Sequence, residues 1–285
     1  QLPLELQNTG LKEAERRVKR RLSGEVGVDM EYSTKSAYGV FKQYRLIKET
    51  PRIKVLIATH CFYDSPHSFG FNLFPDFYEW IDYLGEISKR TDYDWYIKTH
   101  PDYLLGTKEV IDGFIEKYPR FNLLPADSSH HQILKEGIDV ALTVYGSIGV
   151  EYAALGIPVI NASLNNPHVA YDFNICPKNI REYEELLMNL ENIELTIDKK
   201  QIYEFYFIRN IYNTNDWLFD NYDEMINKIG GHHEQFTTKV YKEWLDEFTV
   251  NKHENILSFL SKYIESNDFR LNHDHMNKEF RIESS

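Results

Sequence analysis

One run constrains this chain more than any other: Ile138-Asp-Val-Ala-Leu-Thr-Val144, then Tyr145-Gly146-Ser147-Ile148-Gly149-Val150-Glu151, then Tyr152-Ala-Ala-Leu155-Gly156-Ile157-Pro158-Val159-Ile160. An apolar run leads into a glycine turn, a short helix closed by Gly156, and a second apolar run opened by Pro158. This is the order strand, turn, helix, strand. Gly146 and Gly149 allow the backbone to turn closely, and Ser147 stands where a helix N-cap stands. N–H groups at such a helix start favour an anion. Glu151 follows Ser147 by four residues, about one helical turn, so both can border one cleft. The pattern suits a phosphate beside a hydroxyl-rich group, as in a nucleotide with its ribose.

The same alternation extends upstream. Ile53-Lys-Val-Leu-Ile-Ala-Thr59 and Asp94-Trp-Tyr-Ile-Lys-Thr99 read as buried parallel strands, and Phe121-Asn-Leu-Leu124 as a shorter one. Helical patterns cover 76–89, 107–118 and 129–136. Five strands joined by helices predict a doubly wound, Rossmann-like α/β sheet whose ligands bind beyond the carboxyl ends of the strands. After residue 161 the pattern turns helical, at 180–190, 199–211, 216–229, 236–248 and 254–263. The expected organisation is an N-terminal helical segment over 1–50, a remnant of or linker to a preceding domain. A nucleotide-binding domain follows over 51–175, then a helical region packed on it over 176–265, and a polar tail over 266–285. Within 1–50, helices are expected at 11–22 and 36–48.

Composition narrows the function. The 285 residues carry a formal net charge of −12, which argues against nucleic-acid binding. Two cysteines form no disulfide framework and no metal-ligand spacing, as suits a cytoplasmic protein. No apolar stretch is long enough to cross a membrane. The basic run Lys12 to Arg21 reads first as a solvated helix face; the other reading is contact with an acidic acceptor or, peripherally, with anionic lipid at the inner membrane surface. The 20 Tyr and 17 Phe are read as an aromatic core rather than a sugar-binding surface. The adjacent pairs His130-His131 and His232-His233 have poor geometry for one ion, so neither a metal nor a cofactor is expected.

Candidate site residues come from four stretches. His100, preceded by Lys98 and followed by Pro101, ends the second strand and can donate to a phosphate oxygen. The polar loop after the first strand holds His60, Asp64 and His67, any of which can serve as general base or position an acceptor hydroxyl. Ser128 and Ser129 are read as caps of the next helix, with Asp127 the alternative; that helix start can also contact a base or ribose. Asn166 and His168 follow the last strand and are candidates for sugar contact.

Taken together, Lys98-Thr-His100-Pro101 and the Thr143–Ile160 run resemble the nucleotide-binding half of GT-B glycosyltransferases of bacterial surface polysaccharide synthesis. The likeness extends to capsule Kdo transferases, to sialyltransferase-like enzymes with a His-Pro motif, and to CDP-glycerol glycerophosphotransferases. Phe74 to Trp80 resembles the Trp-containing helix that precedes the His-Pro strand in capsule proteins. The resemblance covers about residues 52–175. It implies a metal-independent, nucleotide-sugar-dependent transferase, with a CMP- or CDP-activated donor and a glycan or lipid-linked acceptor. His100, Gly146 and Ser147 would bind phosphate, and Glu151 would hold the ribose hydroxyls. Gly146-Ser147 stands where glycerophosphotransferases have a double serine, and Val144-Tyr145 where they have Asp-Tyr, which favours a sugar donor. The N-terminal Rossmann-like domain of such enzymes is not visible in residues 1–50. The other readings are a polyol-phosphate transferase, a sugar-nucleotide epimerase, and a non-catalytic nucleotide- or glycan-binding subunit.

Overall fold

The computed structural model describes residues 2–29, 35–39, 41–63, 68–100, 106–213, 222–231, 234, 237–247, 249–268, 271, 275–276 and 282. Asp64, His67 and Pro101 lie outside them, as does the pair His232-His233. The chain divides into two compact units, residues 1–205 and 206–285.

The first unit opens with α1 (Leu4–Leu22) and then alternates strand and helix. In chain order these are β1 (Lys54–Ala58), α2 (Phe77–Arg90), β2 (Asp94–Lys98), α3 (Thr107–Lys117), β3 (Phe121–Leu123), α4 (His130–Lys135), β4 (Val140–Thr143), α5 (Ile148–Ala154) and β5 (Val159–Asn161). Then follow α6 (Ile180–Leu187) and α7 (Lys199–Phe207). The five strands form one parallel sheet in the order β3-β2-β1-β4-β5. The expected doubly wound α/β sheet is therefore the fold.

Alternation along the strands sorts the core into two layers. Val55, Ile57, Trp95, Ile97 and Leu142 face one side, against Trp80 and Leu84 of α2, Phe114 of α3, and Tyr183 and Leu187 of α6. Asp76 caps α2 by accepting from the N–H of Glu79 at 2.8 Å. Gly85 in that helix leaves room for the ring of Tyr118, which a Cβ would meet at 2.4 Å. Leu56, Tyr96 and Ala141 face the other side, against Ile133 of α4, Ile148 and Tyr152 of α5, and Ile47.

Residues 36–39 and 41–48 form a turn, bends and irregular chain where a helix was expected. Their backbone groups bond α4 instead of one another. The N–H groups of Leu46 and Ile47 donate to Glu136 Oε2 at 2.6 and 2.8 Å, and that of Lys42 to Gln132 Oε1 at 2.6 Å. Tertiary partners have replaced the helical ladder. The basic face of α1 is also internally matched: Arg16 and Arg17 pair with Glu13, Lys19 with Glu15 and Arg20 with Glu25.

The second unit is helical among its described residues. It contains α8 (Tyr222–Ile229), α9 (Thr238–Glu247) and α10 (Glu254–Ser266). No described helix is long and apolar enough to cross a membrane.

Candidate functional site at the carboxyl edge of the sheet

In this strand order the chain leaves β1 toward β2 on one side and returns to β4 on the other. The loops after β1 and β4 therefore diverge from adjacent strands, opening a crevice where open α/β sheets take their ligands. His60 and Gly146 occupy the two sides. The N–H of Tyr145 points at His60 Nε2 at 3.3 Å, and Thr143 Oγ1 lies 3.1 Å from the same nitrogen. Nε2 thus accepts the Tyr145 N–H. The ring stacks on Phe77, centroids 4.4 Å apart, and leans on Tyr145 at 4.7 Å. His60 ties the two loops together at the base of the crevice.

Both glycines of the turn answer to close approach. A Cβ on Gly146 would lie 2.8 Å from Thr143 Oγ1, which already accepts the Gly146 N–H at 3.2 Å. A Cβ on Gly149 would lie 2.7 Å from Asn174 Nδ2 and 3.1 Å from His168 Cε1. Ser147 is exposed at the N-cap position of α5, but its side chain makes no cap bond. Its hydroxyl is unspent among the described residues. Because α5 spans only seven residues, the polarity here comes from local groups more than from a helix dipole.

Lys98 ends β2, one strand further over, and His100 follows it by two residues. Parallel strands lie about 4.8 Å apart, so β2 and β4 are separated by roughly 10 Å across β1. His100 is exposed. Lys98 is 2% exposed and donates to the carbonyl of Ala126 at 2.9 Å. Burial pulls its pKa down to about 8, against the opposing pull of Asp127 and Glu151. A cleft of about 320 Å³ opens beside it, between Thr99, Thr107 and Lys108 on one wall and Leu123 to Ala126 on the other.

Ser129 holds the N-cap position of α4 without a side-chain cap bond, and Ser128 donates to the Pro125 carbonyl at 2.6 Å. Neither hydroxyl caps the helix, and Asp127 pairs with Lys42 instead. Ser129 Oγ is buried with no partner among the described residues. The His130 N–H, at the start of α4, donates to the Ala37 carbonyl at 3.1 Å. His130 itself is buried and shares a 2.7 Å hydrogen bond with Tyr152. Burial, with Lys98 nearby, drives its pKa down to about 3, so the ring is neutral.

Glu151 is 6% exposed and fully engaged. Arg21, in the last turn of α1, donates to its Oε1 from Nε at 2.8 Å and Nη2 at 2.6 Å. Tyr38 donates its hydroxyl to Oε2 at 2.5 Å. Burial by itself would raise the carboxyl's pKa; Arg21 and Tyr38 outweigh it and hold the group down at about 2. The Tyr38 ring lies 5.6 Å from that of His130 and 5.0 Å from that of His131. His131 donates in turn to the Leu22 carbonyl at 2.6 Å. Arg21, Tyr38 and Thr143 carried no sequence signal as site residues. Their importance comes from packing: Arg21 and Tyr38 meet Glu151 across more than 100 residues, and Thr143 meets His60 across 83.

Asn166 and His168 are each 2% exposed and face inward. Asn166 accepts the His168 N–H at 3.1 Å and donates to Cys176 Sγ at 3.1 Å. The His168 ring stacks on Phe173 and accepts from Asn174 Nδ2 at 2.8 Å. In this arrangement the two residues hold the loop after β5 against Gly149. The structure thus brings His60 together with the Gly146 turn, sets Lys98 and His100 at the next position along the edge, and buries Glu151, Asn166 and His168.

The fold and this edge define the chain as an α/β protein with a doubly wound parallel sheet whose chain direction switches between β1 and β4. No family model matches the sequence, and no curated protein matches it. Among solved structures the chain is similar to Thermosulfurimonas dismutans KpsC, described as a beta Kdo 2,4 transferase, with 16% identity and a TM-score of 0.42. The match covers 72% of this chain and 64% of that one, so it spans less than two thirds of its neighbour's length.

Proposed function

We propose that the chain transfers a sugar from a nucleotide-activated donor, of CMP or CDP type, to a bacterial surface polysaccharide or lipid-linked glycan. The observation that carries the reading is the switch point of the sheet between β1 and β4, with the glycine turn and the unspent Ser147 hydroxyl on one side. The sequence resemblance over residues 52–175 supplies the reaction class. Gly146 and Ser147 hold one end of the donor phosphate group and His100 and Lys98 the other, with the Ser128-Ser129 corner toward the base or ribose. The roughly 10 Å between β2 and β4 suits an oxyanion contacted from both sides. Positive charge on Lys98 and a hydrogen bond from His100 stabilise the departing phosphate without a metal. In the transfer, the bond from the sugar's anomeric carbon to phosphate oxygen breaks and a bond to the acceptor oxygen forms. The acceptor's proton passes to Asp64 or His67, with His60 supporting that loop.

Thermal shifts with CMP, CDP, UDP and GDP test the binding half, since a ligand of the native state raises its stability. A cytidine nucleotide is expected to give the largest shift, and no shift with any of them refutes the reading. His60→Ala, Asp64→Ala and His67→Ala test the chemistry. At least one should bind nucleotide normally yet transfer about 10²–10⁴-fold more slowly. Full transfer by all three removes the loop from the mechanism.

A further inference from the structure

We infer that residues on either side of the α1 end form a latch over the nucleoside part of the site, with Arg21 and Tyr38 occupying the carboxylate that the ligand's hydroxyls require. The inference rests on the nucleotide reading above and concerns how that site is opened. A carboxylate offers about four lone-pair positions. Glu151 already accepts two hydrogen bonds at Oε1 from Arg21 and one at Oε2 from Tyr38. One acceptor position remains, whereas a vicinal diol that donates both hydroxyls needs two. The neighbouring donor is also taken, because the His130 N–H at the start of α4 is held by the Ala37 carbonyl. Two groups from separate elements, α4 and α5, are therefore both filled by the chain's own Arg21, Ala37 and Tyr38. Further along the edge, Ser147 and His100 remain exposed. A nucleotide can engage the phosphate end first and reaches Glu151 only when Tyr38, with its neighbours, withdraws.

Withdrawal has a price in affinity. When the competent state is a minor one, the apparent dissociation constant rises in proportion to its scarcity. Tyr38→Phe keeps the ring between His130 and His131 but removes the hydrogen bond to Glu151. Calorimetric titration of wild type and Tyr38→Phe with CMP, CDP, UDP and GDP is expected to show about tenfold to a hundredfold tighter binding in the variant, the scale of one hydrogen bond to a charged group. Amide hydrogen exchange then separates a latch from a scaffold. At saturating nucleotide, the wild-type amides over 36–39 and 41–48 are expected to exchange faster, although ligand binding ordinarily slows exchange. Unchanged or weaker binding by Tyr38→Phe, or slowed exchange in those residues, overturns the latch and leaves the nucleotide reading standing. If neither protein binds any of the four nucleotides, the nucleotide reading fails and the latch falls with it.

Discussion

Replacing Glu151 by Gln preserves shape and removes one buried charge, which makes it the sharpest probe of how the first unit holds together. The carboxylate's pKa is held at about 2, against an ordinary value of 4.5, even though burial opposes its charge. That displacement corresponds to roughly 3 kcal/mol of stability at neutral pH. Breaking a buried ion pair by removing one partner costs about 3–5 kcal/mol, because the surviving charge, here Arg21, loses its counter-ion. The two figures agree, so a loss of about 3 kcal/mol is expected at pH 7. The depressed pKa sets the pH dependence. The contribution is fully present above pH 4.5 and is lost as the pH falls through about 2, where the native carboxylate takes up its proton. Urea denaturation followed by the fluorescence of the fully buried Trp80 and Trp95 measures it. The gap between wild type and Glu151→Gln should be wide at pH 7 and pH 5 and should narrow between pH 4.5 and 2. Equal midpoints at pH 7, or a gap that does not narrow with acid, would refute the argument that Glu151 is held by a charged pair.

Three further outcomes follow from the same geometry. Gly149→Ala places a methyl 2.7 Å from Asn174 Nδ2 and should lower stability by about 1–3 kcal/mol; an unchanged thermal midpoint would show that the loop after β5 yields freely. Lys98→Met exchanges a buried ammonium for an apolar chain, and because the native pKa of about 8 lies below the ordinary 10.5, wild-type stability should rise between pH 8 and 10.5 while the variant's does not. At pH 7 the variant should be more stable by up to about 3 kcal/mol yet bind nucleotide more weakly in a thermal-shift titration, and a less stable Lys98→Met contradicts the burial argument. Thr143→Val removes the hydroxyl shared by His60 and Gly146, so nucleotide affinity should fall about tenfold in calorimetric titration, with no loss if the turn holds its shape by itself.

The sheet was legible in the sequence because its central strands are buried on both faces. Such strands write themselves as near-continuous apolar runs, so Val55–Ile57, Trp95–Ile97 and Ala141–Leu142 announce their environment without reference to anything distant. The turn at Gly146 was legible for a related reason: glycine spacing, an N-cap serine and a closing Gly-x-Pro are local chemistry. The helix expected over 36–48 is not found because Gln132 of α4 and Glu136, its C-cap, take the backbone N–H groups of Lys42, Leu46 and Ile47. The partners of Glu151 were beyond any local signal. Position 151 reads as a carboxylate one turn past a serine, and that much was right; what it meets depends on Arg21 and Tyr38, 130 and 113 residues away. Hydrophobic periodicity and turn chemistry act between near neighbours, so the sequence by itself determined the parallel sheet and the edge where a ligand can sit. A buried charge takes its partner from whatever the completed fold brings within about 3 Å, so the tertiary structure alone decided which polar groups at that edge are open and which are already filled.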